Sequence, residues 1–224
     1  MTSPEAIIFD FDGVLLESEF ELNRRTAELL TDLGHPTTFS ESIEHYTGLA
    51  GREVIKAIEA RIGRRLPDSF HDRMNEAGQR ALENGIAPIA GGVDFVRNLP
   101  PGLPRAIASS SSTHWIRTHL DHLGLGGSFG SHIYSGREHV SRGKPAPDLY
   151  LHAAAELGIN IRKLVIIEDS KVGVTGALAS GARVIGLAAG AHCLEGHADM
   201  LKAAGVPEVA MSFDQVAAML GWIR

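Results

Sequence analysis

The chain has 224 residues, 44% of them hydrophobic and 21% charged, which is an ordinary composition for a globular protein with a sizeable core. Its formal net charge of -6 gives no long-range attraction to nucleic acid, and no segment approaches the roughly 20 apolar residues of a membrane helix. We therefore expect no nucleic-acid partner and no membrane partner, and nothing here indicates an oligomeric state. The single cysteine, Cys193, cannot form an internal disulfide and no signal-peptide pattern is present, so we expect a cytoplasmic protein.

The first predicted element is an apolar strand over residues 6–9 that leads into Asp10 and Asp12 and then turns at Gly13. Residues two apart in extended backbone point to the same side, so the two carboxylates would share one small space. A carboxylate at the end of an apolar strand is costly unless a cation meets it. Taken alone, the pair is either a solvated turn or a metal and reaction site.

The next stretch, residues 17–84, contains only helical patterns. Apolar residues recur at helical spacing in three runs, with no strand-like run between them. The three runs cover residues 21–30, 52–60 and 67–82.

After Pro88, short β-type runs alternate with helical runs. The β-type runs cover 105–108, 164–167 and 183–187, and the helical runs cover 115–123, 148–157 and 172–179. This rhythm predicts right-handed βαβ units and an α/β fold: a Rossmann-like, three-layer core with a parallel sheet, plus an inserted all-helical cap domain. We expect the core at residues 1–16 and 85–224 and the cap at 17–84.

Three of the four predicted strands in this core are followed by polar side chains, at the sheet edge where such folds bind ligands. These are Asp10 and Asp12, the serine run from Ser109 to Ser112, and Glu168 with Asp169, together with Lys144 in the loop over 142–148. The four acids cannot all be ionised in one crevice without a cation. An oxygen-only set indicates Mg²⁺, and Ser109 and Lys144 would then hold the oxygens of a transferring phosphoryl group.

Four motifs follow one another along the chain. They are Asp10-Phe11-Asp12-Gly13-Val14-Leu15-Leu16-Glu17-Ser18, the strand-ending Ser109, Lys144 within Gly-Lys-Pro-Ala-Pro-Asp, and Glu168-Asp169-Ser170. In order and spacing they resemble the haloacid dehalogenase superfamily of phosphohydrolases, in the branch that carries a helical cap after the first strand. The resemblance covers the chain from Ile7 to about Gly181.

The resemblance implies a covalent mechanism in which Asp10 attacks phosphorus, while Asp12 protonates the leaving oxygen and later activates water. Mg²⁺ would be held by the Asp10 carboxylate, the backbone carbonyl of Asp12 and Asp169. Glu168 would support the ion directly or through water. Gly13 would form the turn that closes the loop around the phosphate.

Five residues are candidates for substrate binding: Gly13, Ser110, Arg52, Thr47 and Gly48. Ser110 would replace Ser109 if the register of the serine run shifted by one residue. Arg52 follows a flexible approach containing Thr47 and Gly48, and it could clamp a second anionic group. A surface position is an equally good interpretation of Arg52, and Thr47 and Gly48 share that ambiguity.

Two comparisons with the family pattern, and one further cluster of possible ligands, refine this interpretation. Asp12 favours phosphate-ester chemistry over dehalogenation, and Leu22 stands where the sugar-phosphate mutases of this branch carry a histidine. The spacing of His192, Cys193 and His197 is compatible with zinc, but the loop offers no fourth ligand nearby, so zinc is the less favoured interpretation.

The sequence thus predicts a Mg²⁺-dependent phosphatase for a small phosphorylated metabolite, a sugar phosphate or sugar-acid phosphate. Phosphoglycolate phosphatase and sugar-phosphate mutase remain alternatives within the same class. A non-catalytic module that binds a phosphorylated ligand is the alternative from a different class. The joint presence of Asp10, Asp12, Lys144 and Asp169 argues against it, because a binding module needs neither a nucleophile nor an acid.

Overall fold

A computed structural model describes residues 3–49 and 52–222 of the chain. Within these residues the strands form one sheet in the order β3-β2-β1-β4-β5-β6, and all neighbours pair in parallel. The strands are β1 (Ala6–Phe9), β2 (Arg105–Ser109), β3 (Ile133–Ser135), β4 (Leu164–Glu168), β5 (Arg183–Leu187) and β6 (Glu208–Ala210). The predicted α/β fold class with a parallel sheet is confirmed.

Helices surround this sheet and fill the segment between β1 and β2. They are α1 (Ser18–Asp32), α2 (Phe39–Tyr46), α3 (Arg52–Ile62), α4 (Asp68–Asn84), α5 (Gly92–Arg97), α6 (Thr113–His122), α7 (Asp148–Glu156), α8 (Lys171–Ala179), α9 (His197–Ala203) and α10 (Phe213–Met219). Among the described residues, no helix combines the length and the apolar character that crossing a membrane requires.

The sheet is covered on both faces, which explains why its strands are almost continuously apolar. Alternate residues of β1 enter different clusters: Ile7 and Phe9 lie in one, and Ala6 and Ile8 in the other. Helices α5, α6 and α10 contribute to the first cluster, and α7, α8 and α9 contribute to the second. The core is therefore a three-layer sandwich with the sheet in the middle.

The helices between β1 and β2 have a hydrophobic cluster of their own. Its buried members are Leu29, Leu30, Tyr46, Val54, Ile58, Leu66 and Phe70, all from residues 29–70. Helix α2 begins with a capping box, in which the Thr38 side chain accepts from the Glu41 backbone N–H and the Glu41 carboxylate accepts from the Thr38 backbone N–H. The boundaries of the cap at 17–84 stay a prediction.

Several short elements escaped the sequence-based assignment. The edge strands β3 and β6 have three residues each, too few to show a periodicity of two. Helix α6 begins at Thr113, two residues earlier than expected, because the Ser112 side chain accepts a hydrogen bond from the Trp115 backbone N–H at 3.2 Å. This cap places Trp115 in the first turn of α6, beside the ends of β1 and β2.

Candidate active site

The central strands deliver the polar groups of the site to one edge of the sheet. β1 pairs with β2 on one side and with β4 on the other, so the carboxyl ends of these three strands meet. Asp10 follows β1, Ser109 ends β2 and Glu168 ends β4. The backbone N–H of Asp10 donates to the Ile167 carbonyl at 2.9 Å and so holds Asp10 at this edge.

Lys144 is buried between two carboxylates at the same edge. Its Nζ lies 2.6 Å from Asp10 Oδ1 and 2.6 Å from Glu168 Oε1. Burial alone lowers the pKa of Lys144, but the two carboxylates raise this pKa well above its usual range, so the side chain stays cationic. Tyr150 donates to Glu168 Oε1 at 2.8 Å and the Ser170 backbone N–H donates to Oε2 at 3.0 Å. With both oxygens accepting hydrogen bonds, Glu168 suits a supporting role in metal binding.

Asp10, Glu168 and Asp169 form an acidic cluster in which one oxygen of each lies within 4.8 Å of the others. Burial raises the pKa values of Asp10 and Asp169 well above the usual range, Lys144 opposes the rise, and the neighbouring acids add to it. Asp169 Oδ1 is buried and has no hydrogen-bond partner among residues 3–49 and 52–222. This oxygen-only cluster with an unpartnered oxygen fits a hard divalent cation, which would allow the acids to ionise together.

Asp12 lies at the mouth of this cluster and accepts four hydrogen bonds. Ser18 Oγ and Trp115 Nε1 donate to its Oδ1 at 2.7 Å and 3.1 Å. Ser109 Oγ and Ser111 Oγ donate to its Oδ2 at 3.1 Å and 2.7 Å. Sequence reasoning missed Trp115 and Ser111, and the Ser112 helix cap just before Trp115 was the signal that could have found them. Four donors hold the Asp12 carboxylate in one orientation.

The structure distinguishes Ser109 from Ser110 and gives a reason for the glycine at position 13. Ser109 is buried and reaches Asp12, whereas Ser110 is half-buried and lines the cavity in front of the site. Gly13 has a φ of 81°, in the left-handed region, and a Cβ at this position would overlap the Asp169 carboxylate. Gly13 is thus required by the close approach of Asp169 as well as by the turn.

A cavity of about 1200 Å³ lies between this sheet edge and the helices α1, α3 and α4. The catalytic candidates Asp10, Asp12, Ser109 and Lys144 all line it from the sheet side. Its size accommodates a sugar-sized ligand.

The helices present cations to the cavity. Arg52 and Lys56, one turn apart on α3, line it together with Gly48, and both are exposed. Thr47 does not belong to the described lining, because its Oγ1 accepts a hydrogen bond from Asn23 Nδ2 at 3.4 Å. Of the proposed cap residues, the structure therefore brings Arg52 and Gly48 to the cavity and turns Thr47 towards Asn23.

Glu19 is a buried acid of the cavity wall that sequence reasoning did not identify. Burial raises its pKa to about 8, the charge of Asp169 adds to this rise, and His192 opposes it. Asn23 Nδ2 donates to Glu19 Oε2 at 3.3 Å, and Asn23 Oδ1 accepts from Ser42 Oγ at 2.9 Å. Glu19 thus joins the acidic site to helix α2.

The loop that follows β5 brings two histidines to Asp169. His192 Nε2 lies 2.8 Å from Asp169 Oδ2, and His197 Nε2 lies 2.8 Å from the Asp169 carbonyl. Burial lowers the pKa values of both imidazoles, which favours their neutral forms. The expectation that no further ligand lies near His192, Cys193 and His197 is wrong, because Asp169 contacts both histidines.

Comparisons with known proteins agree with this geometry. The family model described as haloacid dehalogenase-like hydrolase matches residues 7–187. The phosphorylated carbohydrates phosphatase of Thermotoga maritima is 30% identical over 213 residues, which cover 90% of this chain and 92% of that protein. Among solved structures, a haloacid dehalogenase-like protein of unknown function from Agrobacterium tumefaciens, ATU0790, is 34% identical with a TM-score of 0.87, over 97% of both chains. A hydrolase of the same family from Deinococcus radiodurans, solved with bound phosphate and sodium, is 32% identical with a TM-score of 0.81, over 99% of both chains.

Proposed function

We propose that the protein is a Mg²⁺-dependent phosphatase that forms an aspartyl phosphate on Asp10. The chain belongs to the haloacid dehalogenase-like hydrolase family. The predicted family and the predicted enzyme class, a phosphoric monoester hydrolase, are confirmed. One observation carries the rest of the proposal. Lys144 Nζ lies 2.6 Å from both Asp10 and Glu168, and these two acids cluster with Asp169, whose Oδ1 has no hydrogen-bond partner among the described residues.

Asp10 is the proposed nucleophile, and its surroundings fit that role. Burial alone would keep its carboxyl protonated, and Lys144 counteracts this effect at 2.6 Å from Oδ1. The buried ammonium also fixes the rotation of the carboxylate, so the attacking group needs little reorganisation. Ser109 and Lys144 are the proposed contacts for the oxygens of the phosphoryl group.

Asp10, Asp169 and the Asp12 backbone carbonyl are the proposed Mg²⁺ ligands, with Glu168 in support. When bound, the ion would neutralise the acids and stabilise the negative charge of the transferring phosphoryl group. Without such an ion, Asp10 and Asp169 resist ionising together, because each raises the cost of charging the site.

Asp12 is the proposed general acid and base. It would donate a proton to the leaving oxygen and take one from the water that hydrolyses the aspartyl phosphate. The hydroxyls of Ser18, Ser109 and Ser111, with Trp115 Nε1, hold the Asp12 carboxylate at the cavity mouth. Ser111 and Trp115 add two positioning residues to the predicted catalytic candidates.

The proposed substrate is a sugar phosphate or sugar-acid phosphate. The relative from Thermotoga maritima acts on phosphorylated carbohydrates, and a cavity of about 1200 Å³ is larger than a two-carbon phosphoglycolate needs. Arg52 and Lys56 line the cavity from α3 and would pair with a distal carboxylate or phosphate. Leu22 also lines the cavity, and its apolar side chain favours hydrolysis over a mutase that needs a histidine there. We propose residues 17–84 as the cap that reads the non-reacting end.

The test is phosphate release from a panel of phosphorylated sugars and sugar acids, with Mg²⁺ and with EDTA. Asp10→Asn is the inactive variant, and Asp199→Asn, on the exposed face of α9, is the matched control. We expect Mg²⁺-dependent release from a few compounds, abolished by Asp10→Asn and unchanged in the control. Release that persists in EDTA or in Asp10→Asn contradicts the mechanism. A folded protein that binds phosphorylated sugars and hydrolyses none of them supports the non-catalytic alternative.

A further inference from the structure

We propose that His192 and His197 are positioning residues that hold Asp169 so that one of its carboxylate oxygens faces the metal; this inference rests on the metal site of the proposed function. His192 and His197 lie outside the four sequence motifs, in the segment that follows β5. The two histidines act on different atoms of the same residue. One fixes the Asp169 carboxylate and the other fixes its backbone.

The two oxygens of Asp169 have opposite surroundings. Oδ2 lies 2.8 Å from His192 Nε2, whereas Oδ1 is buried without a hydrogen-bond partner among the described residues. An ionised carboxylate only accepts, so His192 donates its Nε2–H to Oδ2. This hydrogen bond fixes the rotation of the carboxylate and leaves Oδ1 as the unpartnered oxygen of a residue that clusters with Asp10 and Glu168. A donor behind a metal ligand is a common means of orienting it.

His197 secures the backbone of the same residue. Its Nε2 lies 2.8 Å from the Asp169 carbonyl oxygen, which only accepts, so His197 donates. His192 is fully buried and His197 is nearly so, which strengthens both hydrogen bonds and makes their loss costly.

The packing around His192 is built for an imidazole ring. A Cβ at Gly190 would lie 2.5 Å from ring atoms Nδ1 and Cε1, and a Cβ at Gly13 would lie 3.1 Å from Cε1. The absence of side chains at both positions therefore makes room for the ring.

The Ala191 backbone N–H donates to both carboxylate oxygens of Glu17, at 3.1 Å and 3.0 Å. Glu17, from the first motif, thus anchors the loop that carries His192.

A zinc site built from His192, Cys193 and His197 explains these contacts less well. Each histidine donates its Nε2–H to Asp169, so a metal bound at Nε2 would abolish both of these hydrogen bonds. Burial also raises the pKa of the Cys193 thiol, which disfavours the thiolate that zinc requires. The cluster is therefore better described as a support for Asp169 than as a second metal centre.

The test is calorimetric titration of the metal-free protein with Mn²⁺ and Mg²⁺, for the wild type and for three variants. His192→Leu removes the donor, His192→Gln keeps an amide N–H donor, and Cys193→Ala leaves the hydrogen bonds to Asp169 intact. We expect His192→Leu to weaken metal binding by about 10–100-fold, and His192→Gln to recover most of that loss. The Mg²⁺ concentration for half-maximal phosphatase activity should rise by the same factor, whereas kcat at saturating Mg²⁺ should be close to the wild-type value.

Asp169→Asn separates failure of this inference from failure of the proposed function. If the wild type binds no metal, or Asp169→Asn binds metal as tightly as the wild type, the proposed metal site is wrong. If Asp169→Asn loses binding while folded His192→Leu binds normally, only the positioning role is wrong. A loss in Cys193→Ala as large as that in His192→Leu would make the cysteine a ligand and overturn the inference. Should His192→Leu not fold, a wild-type affinity in His197→Leu, which removes the second donor, together with a weakened His192→Gln would also overturn it.

Discussion

The two walls of the cavity differ in how firmly their charges are held. On the sheet side, Lys144 and Glu168 are buried and hydrogen-bonded to fixed partners. On the cap side, Arg52 and Lys56 are exposed on α3. In the proposed function, the reacting end of the substrate would therefore meet a preorganised site, while the other end would meet exposed side chains that can adjust to it.

The backbone explains the contrast. Hydrogen bonds between β1, β2 and β4 fix the strand register, and the register fixes the positions of the acids at the strand ends. The helices between β1 and β2 pack on their own hydrophobic cluster, so substitution of their surface cations should leave the sheet undisturbed.

Replacing one lysine on each wall of the cavity should give the largest difference in stability and activity. Lys144→Met leaves Asp10 and Glu168 buried without their cation, so we expect the free energy of unfolding in EDTA to fall by about 3–5 kcal/mol. Phosphatase activity should fall by about 10²–10³-fold. Lys56→Met, the matched control on the cap, should change stability by no more than about 0.5 kcal/mol. Chemical denaturation of both variants measures this, and equal effects would contradict the account.

Glu19 should make the free energy of unfolding depend on pH. Its pKa is about 8 in the folded protein against an ordinary value of 4.5, so the folded state binds this proton more tightly. The associated stability is fully present below pH 4.5 and is lost as the pH rises through about 8. In EDTA at about pH 9, Glu19→Gln should therefore be more stable than the wild type by roughly 3–5 kcal/mol, with little difference at about pH 4.

The control for this prediction is built into the measurement. Asp10 and Asp169 also have raised pKa values, so they too lose stability with rising pH, but in both proteins. The difference between the two curves therefore reports Glu19 together with its electrostatic coupling to Asp169 and Asp10. Parallel curves across the range would show that Glu19 is not a buried titrating group.

A smaller effect should follow from the cap cation. Arg52→Gln is expected to lower kcat/KM by about 10-fold for sugar-acid phosphates and bisphosphates, because it removes one charge-assisted contact. Neutral sugar phosphates should be almost unaffected. Kinetics on matched pairs of substrates, such as an aldose phosphate and its aldonic acid, decide the matter. Equal losses for both members of a pair would remove Arg52 from substrate recognition.

The smallest expected effect concerns the donors to Asp12. Trp115→Phe removes one of four hydrogen bonds, and three serine hydroxyls remain, so kcat should fall by about 5-fold, or roughly 1 kcal/mol. The indole is also a reporter, since its fluorescence should change when a substrate draws Asp12 away. A loss as large as that of Asp12→Asn would mean that Trp115 does more than position the carboxylate.

The sequence was informative where chemistry and strand ends coincide. Asp10, Glu168 and Asp169 lie at or just after the ends of strands, so their convergence could be predicted from the βαβ rhythm. Lys144 lies in the loop before α7, and its Gly-Lys-Pro-Ala-Pro-Asp motif was the signal for it. Trp115 and Glu19 were missed, because each reaches the site through the start and pitch of a helix rather than through a strand end.

The same reason explains the histidines and the cap. His192 meets Asp169 through a loop whose course depends on Glu17 and Gly190, and no local pattern encodes that course. Thr47 was predicted to bind substrate, yet its hydroxyl accepts from Asn23, since the rotation of α1 against α2 sets that contact. Long-range packing, which a single sequence does not display, decides these positions.

The central claim is that Asp10 carries the phosphoryl group during turnover, and trapping tests it most directly. Asp12→Asn should accept a phosphoryl group from p-nitrophenyl phosphate, whose leaving group needs no protonation, and then hydrolyse it slowly for want of a base. Mass spectrometry of the digested protein should find one phosphoryl group on the peptide that contains Asp10, only with Mg²⁺ and never in an Asp10→Asn background. Release of p-nitrophenol with no phosphorylated peptide, or with the phosphoryl group on Ser109, would contradict the account.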